Sequence, residues 1–126
     1  IVSFEGMQED VHPFLKNSQC TVHPSFYPEG MSNVCLESAA SGRPVITTKR
    51  PGCRDTVEDG VTGILVEERN TEDLIRAVEQ FLQMPYEKRK EMGIKARQKM
   101  ELEFDRRIVV EKYKKTLQEI LQKGGN

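Results

Sequence analysis

The sequence predicts an α/β fold, a parallel sheet of about four short strands with flanking helices. Two observations carry this expectation. Apolar or β-branched runs at residues 1–4, 20–23, 44–48 and 63–66 alternate with segments of helical character. Turn chemistry then punctuates the intervals, at Pro51-Gly52, Asp59-Gly60 and Gly63, where glycine supplies backbone freedom without a Cβ clash. At 126 residues the chain has the length of one domain, enough to bury a core.

Taken in order, residues 1–4 read as an apolar strand with no polar lead-in, as though cut from something longer. Residues 10–17 carry Val11, Phe14 and Leu15 at helical spacing, and residues 33–40 form a second helix with Gly42 as its stop signal. Residues 54–58 allow no more than one helical turn. Asn70 or Thr71 then caps a helix whose Glu72 and Asp73 favour the dipole and whose Leu74, Ala77, Val78, Phe81 and Leu82 form an apolar stripe. Beyond Pro85 the chain is strongly charged, with Met92, Ala96 and Met100 on one helical face over 86–103. A last helix shows Val109, Tyr113, Leu117, Ile120 and Leu121 about one turn apart.

The net charge of −1 leaves no overall basic excess of the kind nucleic acid attracts. The charge is nevertheless uneven, since residues 1–84 hold 7 basic and 13 acidic side chains and residues 85–126 hold 12 basic and 7 acidic. A solvated helical face explains the basic half more simply than peripheral contact with an anionic membrane, which is its alternative. Cys20, Cys35 and Cys53 are odd in number and contain no C-x-x-C pair, which argues against a disulfide framework and a structural zinc site and for a reducing, cytoplasmic setting. His12 and His23 have no acidic or cysteine partner at ligand spacing. Glu101, Glu103 and Asp105 read as a solvated helix end rather than a metal site.

The chemistry concentrates in residues 24–37, a strand end, a loop and the opening of a helix. In open α/β sheets ligands bind at this place. Gly30 permits close backbone approach, and Ser32 is a natural N-cap that leaves the first-turn amides of Asn33, Val34 and Cys35 facing outward, suited to a phosphate. Glu37, past the turn, can accept two hydrogen bonds from a vicinal diol such as ribose, while Glu29 can orient a sugar hydroxyl. A glycosidase would need its two carboxyls about 5–10 Å apart across one bond. Eight helical positions span about 12 Å, so Glu29 and Glu37 fit holders of a long ligand better than an acid and base pair.

Pro24-Ser25, Glu29-Gly30 and the run Leu36-Glu37-Ser38-Ala39-Ala40-Ser41-Gly42-Arg43-Pro44-Val45-Ile46 resemble the E-x7-E signature of family 4 glycosyltransferases, with Gly52, Val57, Gly60, Gly63 and Leu65-Val66 continuing the match. The resemblance implies that residues 1–126 are the C-terminal portion of the Rossmann-like, nucleotide-sugar-binding domain of a GT-B enzyme, ending in a helix that crosses back to the other domain. The acceptor domain, the first strands of the donor domain and a basic arginine and lysine pair would be absent, and the fragment alone inactive.

It further implies a retaining enzyme that moves sugar from a nucleotide-sugar donor to a glycan or lipid-linked acceptor in polysaccharide assembly, in the cytoplasm and at the inner face of the membrane. No metal or other cofactor is expected. Glu29 would be the catalytic candidate; Glu29 with the backbone of Gly30, Met31 and Ser32 would hold the sugar, Asn33 and Val34 would approach the diphosphate or ribose, and Glu37 would hold the ribose hydroxyls. The alternative is a non-catalytic α/β sugar-nucleotide-binding or interaction module. The family strand order 3-2-1-4-5-6 would give this chain strands 3 to 6 and leave residues 1–4 orphaned. They are expected to be displaced, or to pair within the chain or with a second copy in a non-physiological dimer.

Overall fold

The computed structural model describes residues 3, 4, 6, 10, 12–25, 32–104 and 114–122. Three strands, β1 (Thr21–His23), β2 (Val45–Thr48) and β3 (Gly63–Val66), form one parallel sheet in the order β1-β2-β3. Helices α1 (His12–Lys16), α2 (Asn33–Ala40), α3 (Thr71–Gln83) and α4 (Tyr86–Lys99) flank it. The α/β class is as expected, with three strands among the described residues where about four were anticipated in the whole chain. Ser3 and Phe4 lie in no strand and the Phe4 ring is 95% exposed, while Ile1 and Val2 lie outside the described residues. β1 therefore has β2 as its one sheet neighbour among the described residues, and Val22 on this edge is half-exposed.

The central strand explains the layering. Every residue of β2 is buried, so both of its faces must be covered by something. On one face Ile46 joins Ile64 and Val66 against Ala77 and Phe81 of α3 and Met92 of α4. On the other, Val45 packs with Cys35 of α2 and with Val57. The ladder starts at Val45 because Pro44 has no N–H to give, yet its carbonyl still accepts from the Thr21 amide at 3.0 Å.

α3 is the helix most directly dictated by sequence. Asn70 accepts the Asp73 amide at 2.9 Å, the expected cap. Ala77 and Phe81 are buried, but Leu82 is 64% exposed and leaves the predicted stripe, since one residue past Phe81 turns it about 100° away. On α4 the expected Met92, Ala96 and Met100 all face inward. A Cβ on Gly93 would sit 2.2 Å from the Gly42 carbonyl oxygen, so α4 meets the turn after α2 backbone to backbone. Gly42 itself holds φ +73°, the left-handed value predicted for a helix stop.

After Lys99 the helix widens into a π-helical stretch, Met100–Phe104. Its acidic residues are engaged in surface pairs one turn apart, Glu101 with Arg97 at 2.9 Å and Glu103 with Lys99. This agrees with a solvated face, and such pairs contribute little stability each. Asp105, Val109 and Tyr113 lie outside the described residues; 114–122 is helical, with Leu117, Ile120 and Leu121 exposed.

One clamp had no sequence signal. The Arg43 guanidinium donates through Nε to the Leu15 carbonyl at 2.9 Å and through Nη2 to the Lys16 carbonyl at 2.8 Å. At the C-terminal end of the short α1 it adds to the Ser18 amide (3.2 Å) and Ser18 hydroxyl (3.0 Å) on the Leu15 carbonyl, and it gives the Lys16 carbonyl a partner.

Candidate functional site

The site is built where β1 ends and α2 begins. Thr47 and Thr48, buried at the end of β2, donate their hydroxyls to the carbonyls of His23 and Ser25, both at 2.7 Å. Ser25 is thereby held on one side of residues 26–31. Ser32 is held on the other, since its amide donates to the Gly52 carbonyl at 3.0 Å while its hydroxyl accepts the Cys35 amide at 3.3 Å. Gly52 presents that carbonyl from a turn with φ +90°, which accounts for the glycine in Pro51-Gly52. The segment carrying Glu29, Gly30 and Met31 is thus anchored at both ends, although these three residues lie outside the described ones.

The predicted cap at Ser32 is present. Removing it by Ser32→Ala is expected to cost about 1 kcal/mol, and Ser32→Gly only a few tenths, in chemical denaturation of the chain. Equal losses for both would show that the hydroxyl does not carry the cap.

α2 divides into two faces. Cys35, Ser38 and Ala39 are buried, and the Ser38 hydroxyl is satisfied by the Arg43 carbonyl at 3.0 Å and the Thr21 hydroxyl at 2.8 Å. Asn33, Val34 and Glu37 are exposed. Asn33 and Glu37 stand four residues apart, hence on one face of the helix. The Cys35 amide, expected to face outward, is spent on the Ser32 hydroxyl, so the amides of Asn33 and Val34 with the dipole remain to favour an anion at the helix N-terminus, and Glu37 stands one turn along the Asn33 face. The arrangement suits a ligand with phosphate at one end and hydroxyls to offer Glu37.

Two basic residues follow β2 at the same end of the sheet, and both are engaged. Lys49 meets Glu67 at 2.6 Å, and Arg50 meets Glu68 at 3.4 Å. The hydrogen bond to Glu67 and the charge of that carboxylate raise the Lys49 ammonium above its ordinary pKa. Sequence reasoning also missed a cluster beside the cap. The side chains of His23, Cys35 and Cys53 bring their ligand atoms within 4.8 Å of one another, although the residues are 12 and 18 positions apart. All three cysteines are free thiols, and burial pushes Cys20 up in pKa while Arg89 pulls it down.

A cleft of about 630 Å³ opens at the opposite end of the strands, lined by Lys16, Arg43, Arg89, Lys90 and Arg97 among others. Size does not make it the ligand site. It lies at the N-terminal strand ends, away from the C-terminal ends where open α/β sheets bind their ligands, and two of its arginines are spent on backbone carbonyls.

Comparison with known proteins bears on the chain's family and fold. A family model described as glycosyl transferases group 1 matches residues 1–99. The lipopolysaccharide core biosynthesis glycosyltransferase LpsE of Rhizobium meliloti is 38% identical over 81 residues, 64% of this chain and 24% of that protein. The capsular polysaccharide biosynthesis glycosyltransferase CapM of Staphylococcus aureus is 33% identical over 98 residues, 78% of this chain and 25% of that protein. The chain thus spans about a quarter of the length of these curated relatives. The fold superposes on Anabaena Alr3699/HepE, solved with UDP and glucose, with a TM-score of 0.83 at 23% identity over 93% of this chain and 32% of that one. Sucrose-phosphate synthase of Thermosynechococcus elongatus gives 0.80 at 24% identity, over 89% and 28%. These structural neighbours are GT-B glycosyltransferases, and relatives act in polysaccharide biosynthesis.

Proposed function

The chain belongs to the glycosyl transferases group 1 family, and on that premise we propose that it forms the donor-binding part of an enzyme moving sugar from a nucleotide-sugar donor to a glycan or lipid-linked acceptor, with retention, in polysaccharide assembly. The observation that carries this reading is the Ser32-capped N-terminus of α2 at the C-terminal end of the sheet, with Asn33 and Glu37 exposed on one helix face. The diphosphate sits over the amides of Asn33 and Val34, and the Glu37 carboxylate accepts the ribose hydroxyls. Glu29, with the backbone of Gly30, Met31 and Ser32, holds the sugar, and Glu29 is the catalytic candidate. Departing negative charge is met by helix amides and cationic side chains, with no metal ion in the transfer step.

Support also comes from the UDP complexes of the structural neighbour and from the polysaccharide roles of the relatives. The reaction is completed by an acceptor-binding domain, so residues 1–126 alone are inactive. It takes place on the cytoplasmic side, and peripheral contact between the basic residues of 85–126 and an anionic membrane is the alternative to a solvated face. Among the described residues no helix is long and apolar enough to cross a membrane.

The test is calorimetric titration of the full-length protein with UDP-, GDP- and ADP-sugars, followed by NMR assignment of the product anomer with a lipid-linked acceptor. Saturable binding of one donor and a product keeping the donor's anomeric configuration are expected. Absence of binding by any nucleotide sugar defeats the reading, whereas donor binding without transfer points to the non-catalytic module.

A further inference from the structure

Beside the donor loop, and with no part in the transfer step above, the chain gathers three soft ligands. We propose that His23, Cys35 and Cys53 form a binding site for one zinc ion, which ties together the end of β1, the first turn of α2 and the turn after β2. Their ligand atoms already lie within 4.8 Å of one another. A tetrahedral zinc ion with Zn–S of about 2.3 Å and Zn–N of about 2.0–2.1 Å sets its ligands roughly 3.5–3.8 Å apart, so contraction by about an ångström completes the geometry. Side-chain rotation can supply that contraction, because each ligand sits on a different segment.

The chemistry selects the ion. Two thiolates and an imidazole suit a borderline-soft cation and offer nothing to magnesium or calcium, which take oxygen ligands. Three protein ligands leave a fourth position open, as in zinc sites that carry a bound water. Cys35 and Cys53 are at 0% exposure whereas His23 is only half-buried, so solvent supplies the fourth ligand from the histidine side. Binding is balanced as one Zn²⁺ taken up and two thiol protons released, with the imidazole neutral. Uptake therefore strengthens as pH rises.

The site is also mechanically placed. The His23 carbonyl is held by Thr47, Cys35 donates its amide to the Ser32 cap, and Gly52 next to Cys53 accepts the Ser32 amide. An ion here would cross-link all the segments that frame the helix N-terminus, and so stiffen the donor loop without touching the donor. A cluster separated by 12 and 18 residues has none of the C-x-x-C spacing by which such sites are usually read from sequence.

The experiment titrates the reduced, metal-free 126-residue chain with Co²⁺ as a spectroscopic stand-in for zinc. The expected result is a thiolate-to-cobalt charge-transfer band with intense tetrahedral d–d absorption, saturating at one ion per chain and bleached by zinc. Cys53→Ser should abolish the band, and His23→Gln should weaken cobalt binding by about ten-fold or more. A cobalt spectrum without charge transfer, or one indifferent to both substitutions, overturns the site. Because Cys53 is buried, so that its substitution also perturbs packing, the unaltered chain provides a second reading: zinc should slow alkylation of two thiols and raise the melting midpoint. Unchanged alkylation and melting with zinc, or loss of the two thiols to a Cys35–Cys53 disulfide in place of metal uptake, would overturn the proposal.

Discussion

Glu37→Ala in the full-length protein is expected to weaken nucleotide-sugar binding on the order of 100-fold while leaving the melting midpoint unchanged. The two halves of that expectation have separate causes. Glu37 is exposed and takes no part in the buried face of α2, so the folded chain loses almost nothing with it. In the proposed complex its carboxylate would accept two hydrogen bonds from the ribose diol, each charge-assisted and worth about 1.5–3 kcal/mol, with the pair falling short of additivity. Glu37→Gln keeps one acceptor and should lose roughly ten-fold. Donor titration by calorimetry, with thermal melting of the same samples, separates binding from stability. A full-affinity Glu37→Ala protein would remove this residue from the donor site.

Phe81→Ala is the counterpart on the stability side, with an expected cost of about 3–5 kcal/mol. The ring is 2% exposed and joins Ile46, Ile64, Val66, Ala77 and Met92, so it bridges α3, α4 and the sheet in one cluster. Truncation removes that apolar burial and leaves a cavity that a close-packed, multi-element site cannot readily collapse. It also deprives Arg89 of the ring face over which its guanidinium lies at 5.9 Å. Against the roughly 5–15 kcal/mol that holds a typical domain together, the loss removes much of the total. Urea denaturation monitored by circular dichroism checks it; a loss below about 1 kcal/mol would mean that α3 is held elsewhere.

The parts of this fold that could be read from sequence are those with a local cause. The α3 cap at Asn70, the inward faces of α3 and α4, the glycine stop at Gly42 and the Ser32 cap all follow from residues within a turn or two of one another. Strand ends were legible to within a residue, with Pro44 excluded from the ladder by its missing N–H. Ser3 and Phe4 show where that reasoning stops. An apolar run becomes a strand only when another strand pairs with it, and Ser3 and Phe4 are in none.

The site divides in the same way. Capping chemistry at Ser32 and the family resemblance single out Ser32, Asn33, Val34 and Glu37, and the structure has Ser32 as the cap of α2 with Asn33, Val34 and Glu37 exposed on that helix. What anchors them was not legible. The Gly52 carbonyl under Ser32, the Thr48 hydroxyl on Ser25 and the convergence of His23, Cys35 and Cys53 join segments at separations that carry no period. Topology makes those contacts, because parallel strands deliver every loop after a strand to the same end of the sheet.

The proposed seat of the donor at the N-terminus of α2 is tested most directly by the backbone amide shifts that a nucleotide-sugar donor induces in ¹⁵N-labelled full-length protein. Saturable shifts are expected at Ser32 to Glu37 and at Gly52, with the lining of the Lys16, Arg43 and Arg89 cleft unmoved. Shifts confined to that cleft, with Ser32 to Glu37 silent at saturation, would contradict it.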